Sequence, residues 1–233
     1  MAEPSYKTAL IVGVGSGLSA SLGRLFAKHG LKVALAARRA DNLEALAQET
    51  GAKSFACDST KHDQVTKLFA DVEAALGAPD VVIYNASYRT RGPFVDLVPD
   101  EVAQSIAVSA FGGFLVAQEA VKRMLPQHRG AVIFTGASAS VKGYAQSAPF
   151  AMGKFALRGL AQSMARELQP QGIHVAHVVV DGGIKSERRP DPPDKPDSML
   201  DPDAIAQSYW YLLQQHRSAW TWEIELRPWL EKF

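Results

Sequence analysis

Apolar residues fall along this chain in two rhythms that take turns. The runs ALIV (9–12), KVALA (32–36), DVVIY (80–84), AVIFT (131–135) and IHVAHVVV (173–180) are apolar at nearly every position, which predicts strands covered on both faces. Between them apolar positions recur three and four apart, as at Leu18, Leu22, Leu25 and Phe26; Leu43, Leu46 and Ala47; Val65, Leu68, Phe69, Val72 and Leu76; and Phe155, Leu160, Met164 and Leu168. That is the spacing of helices with one face on a core. Gly30, Gly51 and Gly77 each follow such a stretch, where a left-handed C-terminal cap is expected. WTWEIEL (220–226) alternates like a final strand. Strand then helix, repeated, predicts an α/β fold: a single-domain, Rossmann-type, doubly wound parallel sheet flanked by helices on both faces, with right-handed crossovers.

There is no internal repeat. One stretch breaks the rhythm: ERRPDPPDKPDSML (187–200), whose prolines forbid a regular helix or central strand over most of its length. With little apolar surface and many charges it reads as a mobile flap over the site, expected to be poorly ordered until ligand binds and open to proteases near Arg188 or Arg189.

Composition narrows the partners. The 233 residues are 47% hydrophobic, enough for one large core without metal or disulfide staples. Lys and Arg number 25 against 24 Asp and Glu, so no basic field favours nucleic acid or an anionic membrane. The single Cys57, a first segment without an apolar signal core and the absence of a membrane-length apolar run lead us to expect a cytoplasmic protein. The His residues, His174 and His177 included, show no ligand spacing with carboxylates or Cys57, so no metal is implied.

The first candidate site is IVGVGSGLSASL (11–22), where a strand runs through Gly13, Gly15 and Gly17 into a helix. Glycines let the backbone turn tightly and approach a pyrophosphate, which the free N–H groups and dipole of the helix start then stabilise. The same pattern suits a methyltransferase or a purely structural turn. At the end of the second strand, where an NAD site places Asp or Glu, this chain has AARR (36–39). A carboxylate repels a 2′-phosphate and a guanidinium binds it, so Arg38 favours NADP(H) over NAD(H), unless both arginines are only solvated loop residues.

These residues, with CDS (57–59), YNAS (84–87), TGASAS (135–140), FAMGK (150–154) and DGGIKS (181–186), resemble the short-chain dehydrogenase/reductase family over essentially the whole chain. Ser19 stands where the family has its last glycine, and Tyr84 and Ser87 depart from its Asn-Asn-Ala-Gly motif. The resemblance implies a nicotinamide cofactor held by Gly13, Gly15, Ser16, Gly17, Leu18, Arg38, Asp58 beside the adenine, Asn85, Lys154 and Ile184. It also implies a small-molecule substrate and a homodimer or homotetramer built through the family's fourth and fifth helices.

The family's catalytic group is a Tyr and a Lys four residues apart on one helix, a Ser after strand five and an Asn in helix four. Here Lys154 is kept, its partner is Phe150, and Ser109 stands in the Asn position. Alignment on Gly143 puts Ala137 at the serine position, with Ser138 next. Each has a plainer reading: Phe150 as packing, Lys154 as a surface lysine, and Gly112 and Gly113 as a bend in helix four. Losing a general acid costs about 10²–10⁴ in rate. Three functions stay open. One is an oxidoreductase of carbonyls or alcohols in which Tyr144 or water supplies the proton. Another is a C=C reductase protonated from solvent, and the third is an inactive NADP(H)-binding sensor or structural subunit. Tyr209, Trp210, Tyr211, Trp220 and Trp222 suggest a bulky apolar ligand, or else core and interface packing.

Overall fold

The computed structural model describes residues 6–186 and 189–231. Seven strands form one sheet: β1 (Thr8–Val12), β2 (Lys32–Ala37), β3 (Lys53–Ala56), β4 (Val81–Tyr84), β5 (Gly130–Thr135), β6 (Ile173–Val180) and β7 (Glu223–Leu226). The order across it is β3-β2-β1-β4-β5-β6-β7, and every pairing is parallel. The continuous apolar runs have their cause here. Leu10, Val12, Val82, Tyr84, Val132 and Phe134 enter the core on one face, while Ala9, Ile11, Val81, Ile83, Ala131 and Ile133 enter the core on the other.

The first face is covered by α3 (His62–Leu76), α5 (Gly112–Met124) and α6 (Ala148–Leu168), the second by α1 (Leu18–Lys28) and α7 (Pro202–Gln214). The shorter α2 (Glu44–Thr50) and α4 (Pro99–Ile106) complete the set. Among the described residues no helix is long and apolar enough to cross a membrane. Gly30, Gly51 and Gly77 all take positive φ, though Gly77, at ψ 162°, leaves the helix extended instead of in a left-handed turn.

Two expectations need correction. Phe155 is exposed and Leu160 and Met164 are only half-buried; the buried stripe of α6 is Phe150, Gly153, Lys154, Leu157, Ala161, Ala165 and Leu168, whose small members let the helix approach closely. Gly112 and Gly113 do not bend their helix. The irregularity is the π turn Ala107–Phe111 just before them, and Gly112 itself is helical. The segment after β6, the expected flap, makes local bonds in its described part. Ile184 bridges Leu200, Ser186 and Arg189 exchange backbone hydrogen bonds at 3.0 Å, and Asp191 accepts from the Met199 N–H at 2.9 Å. Glu187 and Arg188 lie outside the described residues.

Candidate active site

The order of the sheet opens a crevice at its carboxyl edge. The chain leaves β1 toward one side and β4 toward the other, so the loops after these neighbouring strands diverge, the usual place for a nucleotide in such a sheet. A cleft of about 350 Å³ there is lined by Gly13, Arg38, Asp58, Asn85 and Ala86 among others. A second, of about 740 Å³, is lined by Gly15, Ser16, Gly17, Lys185 and Ser186 among others.

Gly13 has φ +89°, and a Cβ on it would overlap the backbone of Ala86. Only glycine lets the β1 and β4 loops come this close. Gly15 and Gly17, by contrast, face open space with nothing within 4 Å of a Cβ position. Gly17 starts α1, whose first N–H groups have no side-chain cap, and Leu18 begins the helix buried. This bare backbone beside an uncapped helix start fits a pyrophosphate.

Ser19 is the residue that sequence reasoning undervalued. Its hydroxyl donates to the Gly13 carbonyl at 3.2 Å and accepts from Asn85 Nδ2 at 2.7 Å, fully buried. It joins the glycine turn to the β4 loop, and its presence where the family has glycine was the available signal. Lys185, facing Gly15–Gly17 across the second cleft, was also missed. Its ammonium lies 3.5 Å from Asp191 and 3.7 Å from Asp201.

Arg38 is exposed at the end of β2 and lines the first cleft with Asp58. Burial works to raise the Asp58 carboxyl, but the Thr60 N–H and hydroxyl, at 3.0 and 2.8 Å, together with the charges of Lys61 and Arg38, hold it below the usual carboxylate range. The tip of this cleft is therefore a guanidinium beside a fixed carboxylate.

Lys154 is buried to 3% exposure, and its ammonium donates to the Thr135 carbonyl at 2.7 Å. Burial pushes it down to about 8. One turn earlier Phe150 lies with its ring centroid 5.8 Å from that nitrogen, and the Arg89 guanidinium sits over the same ring at 4.9 Å. Ser109, inside the π turn, packs on Gly153, and its buried hydroxyl has no hydrogen-bond partner among the described residues. Ser138 opens a short 3₁₀ turn after β5, half-buried, while Ser140 is the buried serine that accepts from the Ala137 N–H at 3.1 Å. Tyr144 is 49% exposed and lines neither cleft.

Under Lys154 lies a row set by strand register. Val12 pairs with Tyr84, Tyr84 with Phe134, Phe134 with His177 and His177 with Glu223. Tyr84 donates to the Val108 carbonyl and shares a hydrogen bond with Ser59 at 3.1 Å. Gly112 and Gly113 make room for its ring and hydroxyl. His177 Nδ1 meets Glu223 at 2.9 Å, and Arg158 grips the same carboxylate at 2.6 and 2.7 Å. Burial first, then Lys154 and Arg158, push the imidazole down to about 4 despite Glu223. His177 is neutral with its proton on Nδ1, since an ionised Glu223 can only accept. His174 stacks on Trp220 and bonds the Thr221 carbonyl at 2.9 Å.

Several of the C-terminal aromatics pack within the protein. Tyr209 is fully buried against Thr135 Oγ1 at 2.8 Å, Trp210 stacks on His29 and Trp222 lies against Arg158, while Tyr211 and Trp229 are strongly exposed. None lines either cleft, so they do not form the wall of an apolar ligand site there.

Comparison with known proteins places this geometry. Residues 7–194 match the family described as short chain dehydrogenase. An uncharacterised oxidoreductase of Staphylococcus aureus is 28% identical over 95% of this chain and 97% of its own. A short-chain dehydrogenase from Rhodopseudomonas palustris superposes with a TM-score of 0.82 at 33% identity, covering 97% of this chain and 100% of that one. A metagenomic short-chain oxidoreductase in complex with NADP gives 0.83 at 28% identity, over 98% and 100%. The chain belongs to the short-chain dehydrogenase family, and the oxidoreductase class comes with it.

Proposed function

We propose that this protein is an NADP(H)-dependent oxidoreductase that transfers hydride to or from a small organic carbonyl or alcohol, without the phenol its family ordinarily uses. The observation that carries the reading is the placement of Lys154: buried, four residues after Phe150, with its ammonium fixed on the Thr135 carbonyl at the same sheet edge as the glycine turn. A bound nicotinamide supplies or accepts the hydride.

The chain's own residues do the rest. Gly15, Gly17 and the α1 start receive the pyrophosphate, with Ser16 and Leu18 at the turn. Arg38 meets the 2′-phosphate, and Asp58 flanks the adenine. Asn85, held by Ser19, and Ile184 line the nicotinamide side. Lys154 holds the ribose hydroxyls. Ser138 steadies the substrate oxygen, Ser109 serves a proton path toward Lys154, and Tyr144 or water gives or takes the proton in place of Phe150. We also propose a homodimer or homotetramer through the outer faces of α5, the π turn before it and α6, where Phe111, Phe114, Met152 and Phe155 are exposed.

Fluorescence titration with NADPH and NADH, followed by a panel of carbonyl and enone substrates, tests the reading. Tighter NADPH binding with carbonyl turnover supports it. Turnover of enones alone identifies a C=C reductase, and NADPH binding without turnover of anything identifies a sensor.

A further inference from the structure

Around Phe150 the described residues gather positive charge that no described carboxylate pairs. Arg89 lies over the Phe150 ring at 4.9 Å, and the charges of Arg91 and Arg189 both reach it. Two separate pieces of chain deliver these arginines. Arg89 and Arg91 are on the loop after β4, which is pinned at one end by the Ser105 hydroxyl on the Tyr88 carbonyl at 3.0 Å. At the other end Gly92 N–H bonds the Gln146 carbonyl at 3.2 Å. Arg189 comes from the segment after β6 and rests its guanidinium on Gly183, held there by the paired backbone bonds to Ser186.

Three described acids of the adjoining segments have partners of their own. Glu101 accepts from Tyr88, Asp191 meets Lys185 and the Met199 N–H, and Asp181 meets Lys142 and Arg227. Among the described residues no carboxylate pairs with Arg89, Arg91 or Arg189. Like charges brought together by loops that are otherwise well bonded repel one another, and a ligand anion relieves that cost. Arg89 is exposed, lies over the Phe150 ring and has no ion pair among the described residues, so its N–H fork can take two oxygens of a ligand. Phe150 thereby has a use of its own, as the platform for that fork.

We propose that the substrate of this oxidoreductase is an anion whose carboxylate is bound by Arg89, with Arg91 and Arg189 supplying the surrounding field. The inference rests on the oxidoreductase reading for the reaction, while anion binding stands apart from turnover.

Isothermal titration of the NADP-saturated protein with benzoate and with the neutral isostere benzamide tests it. Benzoate is expected to bind roughly tenfold or more tightly than benzamide, as for a charge-assisted fork. That preference should vanish in Arg89→Ala, return in part in Arg89→Lys and shrink in Arg91→Ala. No benzoate binding at millimolar concentration, equal binding of the two, or a preference that survives Arg89→Ala overturns the proposal. NADPH oxidation with 4-carboxybenzaldehyde and its methyl ester separates the two readings. Benzoate selectivity with neither aldehyde reduced leaves the anion site standing against the oxidoreductase reading. Reduction of both aldehydes at similar KM without benzoate selectivity does the reverse.

Discussion

The Lys154 ammonium and the Thr135 carbonyl oxygen meet at 2.7 Å in the interior, the cation tied to the last residue of β5. Its titration falls from 10.5 to about 8 because burial disfavours the charge. Between those values the unfolded chain binds the proton more strongly than the folded one. This group therefore adds stability as pH rises from about 8 to 10.5 and withholds it below. Lys154→Met removes the effect. The stability difference between variant and parent, measured by urea unfolding, should shift toward the parent from pH 7 to pH 10, by at most about 3 kcal/mol. A difference constant with pH would mean that the ammonium is solvated.

Arg38→Ala should narrow the preference for NADPH over NADH by roughly 1–3 kcal/mol, the range for a charged hydrogen bond. Direct titration of both cofactors measures it. Equal affinities in the parent protein would remove the role assigned to this residue.

Phe150→Tyr places a hydroxyl on the helix face that Lys154 shares. NADPH-dependent reduction of a carbonyl should appear or rise, by up to ~10²-fold if water is the present donor. Tyr144→Phe should abolish the parent's turnover if Tyr144 gives the proton and leave it intact if water does. A new phenol that titrates near ~10, as in free tyrosine, would place position 150 away from the ammonium.

His177 should leave an acid signature. Its imidazole is neutral when folded, pushed down to about 4 from 6.5, so the stability present above pH 6.5 drains away as pH falls toward 4. His177→Gln should flatten that part of the pH–stability curve relative to the parent. An unchanged slope would show that the ring ionises freely.

The strands of the sheet interior were legible because helices on both faces demand apolar residues at every position. β3 was not, since Lys53, Ser54 and Ala56 are exposed at the sheet's edge and leave no apolar run. The glycine turn could be read from spacing because backbone approach needs glycine whatever surrounds it. The link from Ser19 to Asn85 could not, as it joins positions 66 residues apart. Nor could the π turn: one widened turn inside a helical stretch barely disturbs its periodicity. Phe155 misled for a related reason, because on α6 the close approach is made by Gly153, Ala161 and Ala165, and an apolar count overlooks small residues. The arginines around Phe150 are loop charges in the sequence, and only folding brings Arg189 to Arg89.

Tyr84 occupies a volume that three other positions have given up or shaped. A Cβ at Gly112 would stand 2.5 Å from its hydroxyl and 2.9 Å from Ser59 Oγ, and one at Gly113 would stand 3.3 Å from its ring and 2.7 Å from Leu157. Any side chain at 112 or 113 therefore demands a smaller residue at 84. A smaller residue at 84 takes the hydroxyl partner from the buried Ser59 and from the Val108 carbonyl. The four positions form one unit of inheritance: in related chains they should change in concert or stay fixed, and a laboratory library that varies them singly will find almost no survivors.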